Sequence, residues 1–270
     1  MKQFTNPNFT LTVFNSAESS FLVTATLVEK DGKAALINGK FTRTDAQEIV
    51  TYLRDNNLEL EKIYAIHGDP DYYFGAESII KAFPEAVLYA SEYSVEHILH
   101  SVAGKLKVWG PQLGQDAPSN IVLPQVYSQS TIELAGVTFD IIGDDAHRIN
   151  LYNAENKVLI GGIDAFNEIH IFLADTSTEA DLQAWAQRLN SLLALELDLV
   201  IPSHAGPDGS YDRKALEATR DYLFEVLEVL GNAQDSATFI NAMTEKHPSY
   251  LNKNVLALGA KVLTGEMNWG

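Results

Sequence analysis

The stretch Ile66-His67-Gly68-Asp69-Pro70-Asp71-Tyr72-Tyr73-Phe74-Gly75 decides how this chain is read. It follows Lys62 to Ile66, a short apolar run with the character of a strand. It precedes Gly75 to Phe83, where Ile79, Ile80 and Phe83 have the spacing of a buried helix face. His67 is therefore expected at a strand's C-terminal end. Ligand-type side chains alternate at 67, 69 and 71, and in an extended or tightly turned loop residues two apart point the same way. Such spacing aims an imidazole and two carboxylates at one point, with Gly68 and Pro70 fixing the turn. An Asp-rich surface turn that caps the following helix would carry the same letters.

Upstream, Phe9 to Phe14, Phe21 to Leu27 and Ala34 to Ile37 read as strands, with a hairpin turn at Asp31-Gly32. A helix is expected from about Thr44, with Gln47 placed for a capping box and Ile49, Val50 and Leu53 as its apolar stripe. Downstream, Val87 to Ala90 is a strand. A helix then leads into the loop-like Lys107-Val-Trp-Gly-Pro-Gln-Leu-Gly-Gln-Asp-Ala-Pro-Ser-Asn120. The segment 105–118, with Trp109, Pro111 and Leu113, is expected to be a loop that packs on helices or walls a pocket. Hairpins follow at Ala135-Gly136 and at Asn153 to Asn156. Thr178 to Leu195 reads as an amphipathic helix, Leu197 to Ile201 as a strand ending in Pro202-Ser203-His204, and the chain from Asp212 on as mainly helical. Strands that cluster, then a helix, then strands, then helices suit two sheets packed face to face with helices outside, among other α/β layouts.

Three further ligand-type residues lie at strand ends: His147 after the strand through Ile142, Asp164 after Val158-Leu-Ile-Gly-Gly-Ile, and His204 after Leu199-Val-Ile-Pro-Ser. Each alone is as well read as a hydrogen-bonded loop histidine or a helix-cap aspartate. Together with His67 they place a ligand at four strand ends, and functional groups on such scaffolds gather at one end of the sheets. His97 and His100 sit three apart on a helix with no nearby carboxylate to complete a set. His170, in the apolar run Ile169 to Leu173, is expected to serve packing. These three and His247 are expected not to be ligands.

The bulk numbers narrow the function. The chain has 270 residues, 46% of them hydrophobic, which is ample for a large buried core. With 19 Lys plus Arg against 36 Asp plus Glu, the net charge of -17 repels phosphate backbones and anionic membranes. A small-molecule substrate is expected, with no nucleic-acid or membrane partner; the oligomeric state stays open, a homodimer included. There are no cysteines, so disulfides, Cys-rich zinc modules and thiol nucleophiles are excluded. No apolar run reaches the ~20 residues of a membrane span. The opening residues lack the basic start and long apolar run of a signal peptide, so a soluble cytoplasmic protein is expected.

The order of these segments resembles the metallo-β-lactamase superfamily, whose first motif is usually His-x-His-x-Asp-His, followed by a lone His, a bridging Asp after an apolar strand, and a final His. His67 matches the first His, Asp71 the motif aspartate, His147 the lone His, Asp164 the bridging aspartate and His204 the last His. The resemblance runs from about residue 20 to 208 and includes the Gly-Gly-Ile-Asp and Ile-Pro-Ser-His contexts. Asp-Pro-Asp-Tyr-Tyr-Phe-Gly-Ala with Phe83-Pro84 downstream is similar to a poorly characterised bacterial branch.

Two positions depart from the pattern. Asp69 stands where the second His would be, as a carboxylate does in the flavodiiron branch, and Tyr72 stands where the third would be. Asn38 replaces an aspartate often found near its strand end, and Gly143-Asp-Asp-Ala upstream of His147 does not match the common motif.

The resemblance implies an αββα sandwich of two mixed β-sheets flanked by helices, as one domain over residues 1–270 with about 212–270 as a helical extension. It implies metal ligands at His67, Asp69, Asp71, His147, Asp164 and His204. Three carboxylates repel one another unless a cation is present. Replacing imidazole by carboxylate moves preference from zinc towards iron, manganese or magnesium, although the affinity order still favours zinc over iron and manganese. One firmly held divalent ion is expected, zinc or iron with manganese as an option, and a second that is weak or absent. The implied activity is hydrolysis of a small ester, lactone or thioester by metal-bound hydroxide. Asp71 would orient the nucleophile, and Tyr72 or Tyr73 would donate to the oxyanion. Two alternatives stand beside it: an iron protein handling oxygen, nitric oxide or a redox signal, and a metal-poor binding or sensor module without catalysis.

Overall fold

The structure, a computed structural model, describes residues 1–269. It divides into two compact units, Met1–Ile163 and a second from Asp164 onward.

In the first unit β1 (Lys2–Thr5), β2 (Thr10–Asn15), β3 (Thr24–Lys30), β4 (Lys33–Ile37), β5 (Glu59–Ala65), β6 (Val87–Ala90) and β7 (Gln125–Val126) form one sheet in chain order. Neighbours from β1 to β4 are antiparallel and from β4 to β7 parallel. The direction changes where the connections change. A tight turn joins β3 to β4, with Asp31 and Gly32 at φ 51° and 80°, as hairpin twist requires. From β4 on, each link is a helical crossover, which parallel pairing needs. These crossovers are α1 (Arg43–Asp55), then α2 (Pro70–Tyr73) with α3 (Ala76–Ala82), then α4 (Glu92–Leu113).

Helix α1 starts earlier than Thr44: Thr42 is its N-cap and its hydroxyl accepts from the Asp45 N–H. That bond makes the expected Gln47 box unnecessary. The helix buries Ala46, Ile49, Val50 and Leu53. Residues 105–113, expected as loop, belong to the 22-residue α4. Leu106, Trp109 and Leu113 recur at helical spacing and pack on the core cluster; Trp109 meets Phe21 and Phe41 edge-on at 5.3 and 5.7 Å. Pro111 is tolerated because it falls in the last turn, where little helix remains to be broken.

A second sheet in this unit holds β8 (Thr131–Leu134), β9 (Val137–Ile142), β10 (Asn150–Asn153) and β11 (Val158–Ile160), antiparallel in chain order. Ala135 and Gly136, at φ 50° and 72°, turn β8 into β9. Packing of β8 against β4 and the edge contact of Phe9 with Phe139 at 6.2 Å bring the two sheets face to face.

The second unit is mainly helical: α5 (Glu179–Leu193), α6 (Lys214–Leu230), α7 (Ser236–Lys246) and α8 (Lys253–Leu263), with short strands β12 (Phe166–Asn167), β13 (Leu199–Ile201) and β14 (His204–Ala205). β12 and β14 pair in parallel, with Phe166 opposite His204. α5 packs on α6, α6 on α7 and α7 on α8. Trp185 and Leu189 of α5 and Tyr222, Leu223 and Val226 of α6 are buried. Among the described residues no helix is long and apolar enough to cross a membrane.

Candidate functional site

Strand β5 ends at Ala65, and the next ten residues are shaped from outside by Asn38, Gly39 and Lys40. Asn38 sits at φ 67°, a left-handed conformation that Asn tolerates. Its Nδ2 donates to Thr24 O and its Oδ1 accepts from the Ile66 N–H at 3.2 Å. The Gly39 N–H donates to Tyr72 O at 2.6 Å and the Gly75 N–H to Lys40 O at 2.8 Å. The approach needs glycine: a Cβ on Gly75 would stand 2.4 Å from Gly39 O. Lys40 is itself pinned, its buried ammonium donating to Phe14 O (2.5 Å), Ser16 Oγ (2.9 Å) and Val23 O (3.3 Å). Burial lowers that amine to about 8.

Within this loop the chain turns at Pro70. Asp69 is the N-cap of the one-turn α2 and Pro70 its first residue, so the alternation from 67 to 69 does not extend to 71. Asp71 is buried in the first turn of α2. The two tyrosines separate. Tyr73 packs into the hydrophobic core with its hydroxyl unpartnered, whereas the Tyr72 ring lies 5.2 Å from that of His67.

His67 and His147 meet, Nε2 to Nε2, at 3.1 Å. The Asp69 N–H donates to His67 Nδ1 at 3.2 Å, so the His67 proton lies on Nε2 and points at His147. The Asp69 carboxylate is also within 3.4 Å of Nδ1, so His67 has a partner there in either tautomer. Burial, reinforced by His147, Arg148 and Lys105, holds His67 well below the usual imidazole range against the pull of Asp69. Burial and Arg148 likewise lower His147 to about 4. Both rings are neutral at pH 7.

Asp69 occupies a cap position, yet its side chain makes no cap bond. The capping reading of this stretch therefore fails, and the reason is α4. Lys105 Nζ lies 2.6 Å from Asp69 Oδ1, donates to His97 Nε2 at 2.8 Å and reaches Gly68 O at 3.3 Å. His97 Nε2 is 3.8 Å from the same carboxylate oxygen, which corrects the expectation that His97 has no carboxylate nearby. Gly68 makes room for α4, since a Cβ there would come 2.8 Å from the His97 ring. Burial works against the Asp69 carboxylate, but His67, His97 and Lys105 outweigh it and hold its carboxyl well below the usual range. His67 being neutral, the nearest full positive charge to that carboxylate is the Lys105 ammonium, 2.6 Å from Oδ1. The other set-aside histidines point elsewhere: His100 to Glu96 O on its own helix, His170 to the Tyr222 hydroxyl, and His247 to Glu225.

In the second unit Asp164 is buried, with Arg188 Nε of α5 at 3.4 Å from its Oδ1. The indole of Trp185, on the same helix, donates to Asp164 O at 3.0 Å. His204 opens β14 and stacks on Phe166 at 4.9 Å between ring centroids. Sequence reading missed Lys105, Arg148 and Arg188. His97 and Lys105 do share one face of a helix, eight residues apart, but nothing in the letters links that face to the loop.

Among the described residues no three His, Asp or Glu side chains are grouped to hold an ion. The imidazole pair still fits one. Two nitrogens bound at about 2.0–2.1 Å to a tetrahedral ion lie about 3.3 Å apart, against 3.1 Å here. Asp69 Oδ1 is paired with the Lys105 ammonium at 2.6 Å.

No family model and no curated protein matches the chain. Solved structures do. A beta-lactamase domain protein from Burkholderia ambifaria is 16% identical, with 97% of this chain and 86% of that one covered at a TM-score of 0.68. A metallo-beta-lactamase family protein from Thermus thermophilus is 15% identical, with 91% of each chain covered at 0.64. A metallo-beta-lactamase from Pontibacter korlensis is 16% identical, with 83% of this chain and 98% of that one covered at 0.57. The chain has the metallo-β-lactamase fold, with two mixed sheets and flanking helices.

Proposed function

We propose that this chain is a metal-dependent hydrolase of a small molecule of ester, lactone or thioester type, with one divalent ion, zinc or iron, at His67 and His147. The observation that carries it is that pair: a buried and a half-buried imidazole, both neutral, whose Nε2 atoms face each other at 3.1 Å. Neutral imidazole is the ligand form, and Nε2 a usual ligating atom. Solved structures of the same fold that bear the name metallo-beta-lactamase support the class of reaction. An ion there would polarise the carbonyl under attack and lower the pKa of water.

The chain's own residues do the rest. His67 holds a proton on Nδ1 against Asp69 when Nε2 is engaged. Tyr72, whose ring lies beside that of His67, would donate to a developing oxyanion; Tyr73 is in the core. Asp71, buried at the start of α2, would orient the attacking water and take its proton.

The test is elemental analysis of protein made without chelator or affinity nickel, alongside hydrolysis of simple lactones, thioesters and esters. About one ion per chain is expected in the wild type, lost in both His67→Ala and His147→Ala, with turnover that falls on chelation and returns with metal. Equal metal content in the wild type and both variants refutes the reading. The same analysis on Asp71→Asn, Asp164→Asn and His204→Ala tests the remaining expected ligands. One observation favours a metal-poor binding module instead. Asp69 and Asp164 each already have a cationic side chain beside them, Lys105 and Arg188, and absence of bound metal would support that reading.

A further inference from the structure

We propose that the Lys105 ammonium is a resident cation that keeps Asp69 out of metal coordination and so confines an ion to the His67–His147 pair; this rests on the metal-dependent reading above. An ammonium has three donors, and those of Lys105 go to Asp69 Oδ1, His97 Nε2 and Gly68 O. None is left for a substrate anion, so Lys105 acts on the protein and not on a ligand. The side chain is held in place. Its exposure is 19%, and α4 is fitted against Gly68, where even a methyl group would strike His97.

An ion approaching Asp69 Oδ1 would meet a positive charge 2.6 Å from that oxygen. Two cations sharing one carboxylate oxygen repel each other strongly in a half-buried setting. The other oxygen, Oδ2, lies 3.4 Å from His67 Nδ1, on the far side of that ring from Nε2, so an ion at the Nε2 pair reaches Asp69 only by displacing the ammonium from Oδ1. Asp69 stands where the related fold's motif has an imidazole ligand, and Lys105 supplies the reason that the carboxylate does not take over that duty. Lys105 is thus a positioning residue, acting through Asp69.

The experiment measures zinc affinity, with zinc alone as the probe, by competition with a chromophoric chelator on metal-free full-length protein. Circular dichroism checks the fold of each variant. Lys105→Met is expected to bind zinc at least tenfold more tightly than wild type, because it frees Asp69. Lys105→Arg, which keeps the charge, should match wild type. Adding Asp69→Asn to Lys105→Met should abolish the gain. If Lys105→Met does not fold, Lys105→Gln, which retains a donor but not the charge, should show the same gain. A merely structural lysine would lose affinity on replacement, not gain it.

Unchanged or weaker zinc binding in the folded Met or Gln variant overturns the inference. If wild-type zinc still disappears in His67→Ala, the hydrolase reading survives that failure. Zinc binding absent from wild type but present in Lys105→Met and dependent on Asp69 would have the opposite meaning: Lys105 keeps Asp69 from metal, but no ion is confined to the imidazole pair and the native site is metal-poor. No zinc binding in any variant overturns both.

Discussion

Replacing Lys40 by Met removes a charge that the fold keeps entirely from water. The amine, ordinarily at 10.5, is lowered by burial to about 8. A difference of about 2.5 units at about 1.4 kcal/mol each makes the charged form about 3 kcal/mol less favourable in the fold than in the unfolded chain. The sign follows from proton counting. Between pH 8 and 10.5 the unfolded chain keeps this proton and the folded chain gives it up, so wild-type stability rises with pH there. Below pH 8 both states are protonated and the penalty is constant. Linkage with these two values gives a gain of about 1.3 kcal/mol between pH 7 and pH 9 that the Met variant lacks.

At pH 7 the substitution relieves the burial penalty but strips Lys40's bonds from Phe14 O, Ser16 Oγ and Val23 O. Val23 O keeps the Ser16 N–H. The two remaining acceptors, at about 1–3 kcal/mol each, lose about 2–6 kcal/mol against a relief of about 3 kcal/mol, so a net change between a gain of about 1 and a loss of about 3 kcal/mol is expected. The assay is urea unfolding of both proteins at pH 7 and pH 9. Other titrations are common to both and drop out of the difference. A wild-type-minus-variant difference that is flat or falls between the two pH values refutes the reasoning, whatever its size at pH 7.

Gly75→Ala should cost about 3 kcal/mol or more in thermal or urea unfolding, because the added methyl meets the backbone oxygens of Gly39 at 2.4 Å and Thr42 at 2.8 Å; a neutral result would mean the loop yields freely. His170, lowered to about 4 by burial and by His247 and Lys253, binds a proton in the unfolded chain before it does in the fold. Its contribution is therefore complete above about pH 6.5 and shrinks as pH falls towards 4. Wild type should lose about 2 kcal/mol more than His170→Leu between pH 7 and pH 5, and equal losses would contradict that. Tyr72→Phe should leave metal content unchanged, since a neutral phenol is no substitute for imidazole; loss of the ion by elemental analysis would make the phenol a ligand.

What could be read in the letters was what is decided locally. Asp31-Gly32 and Ala135-Gly136 announce their hairpins because those residues accept positive φ. The apolar run Val87–Ala90 coincides with the strand β6. Helix α4 was cut short because Pro111 and three nearby glycines argue for a loop, while contacts with Phe21 and Phe41, far off in sequence, argue for helix and win. β12 and β14, two residues each, have no period to detect. At the candidate site, His67 and His147 could be placed at strand ends, and they meet. The partner of Asp69 is not legible in the sequence: Lys105 lies 36 residues away on a helix whose relevant half has the letters of a loop. The alternation argument for Asp71 failed for a local reason, since Pro70 starts a helical turn.

Three consecutive residues, Asn38, Gly39 and Lys40, each hold one point of the loop from 66 to 75 through the loop's main chain, at Ile66 N, Tyr72 O and Gly75 N. None of these tethers touches a ligand-type side chain. The path of the loop is thus written in one segment and its reactivity in another. A substitution at 69 or 72 removes none of the three tethers, because they run through the main chain and through residues 38 to 40. For an engineer this makes the loop a fixed mount: chemistry can be exchanged one position at a time, provided that the mount, whose own residues carry none of it, is left alone.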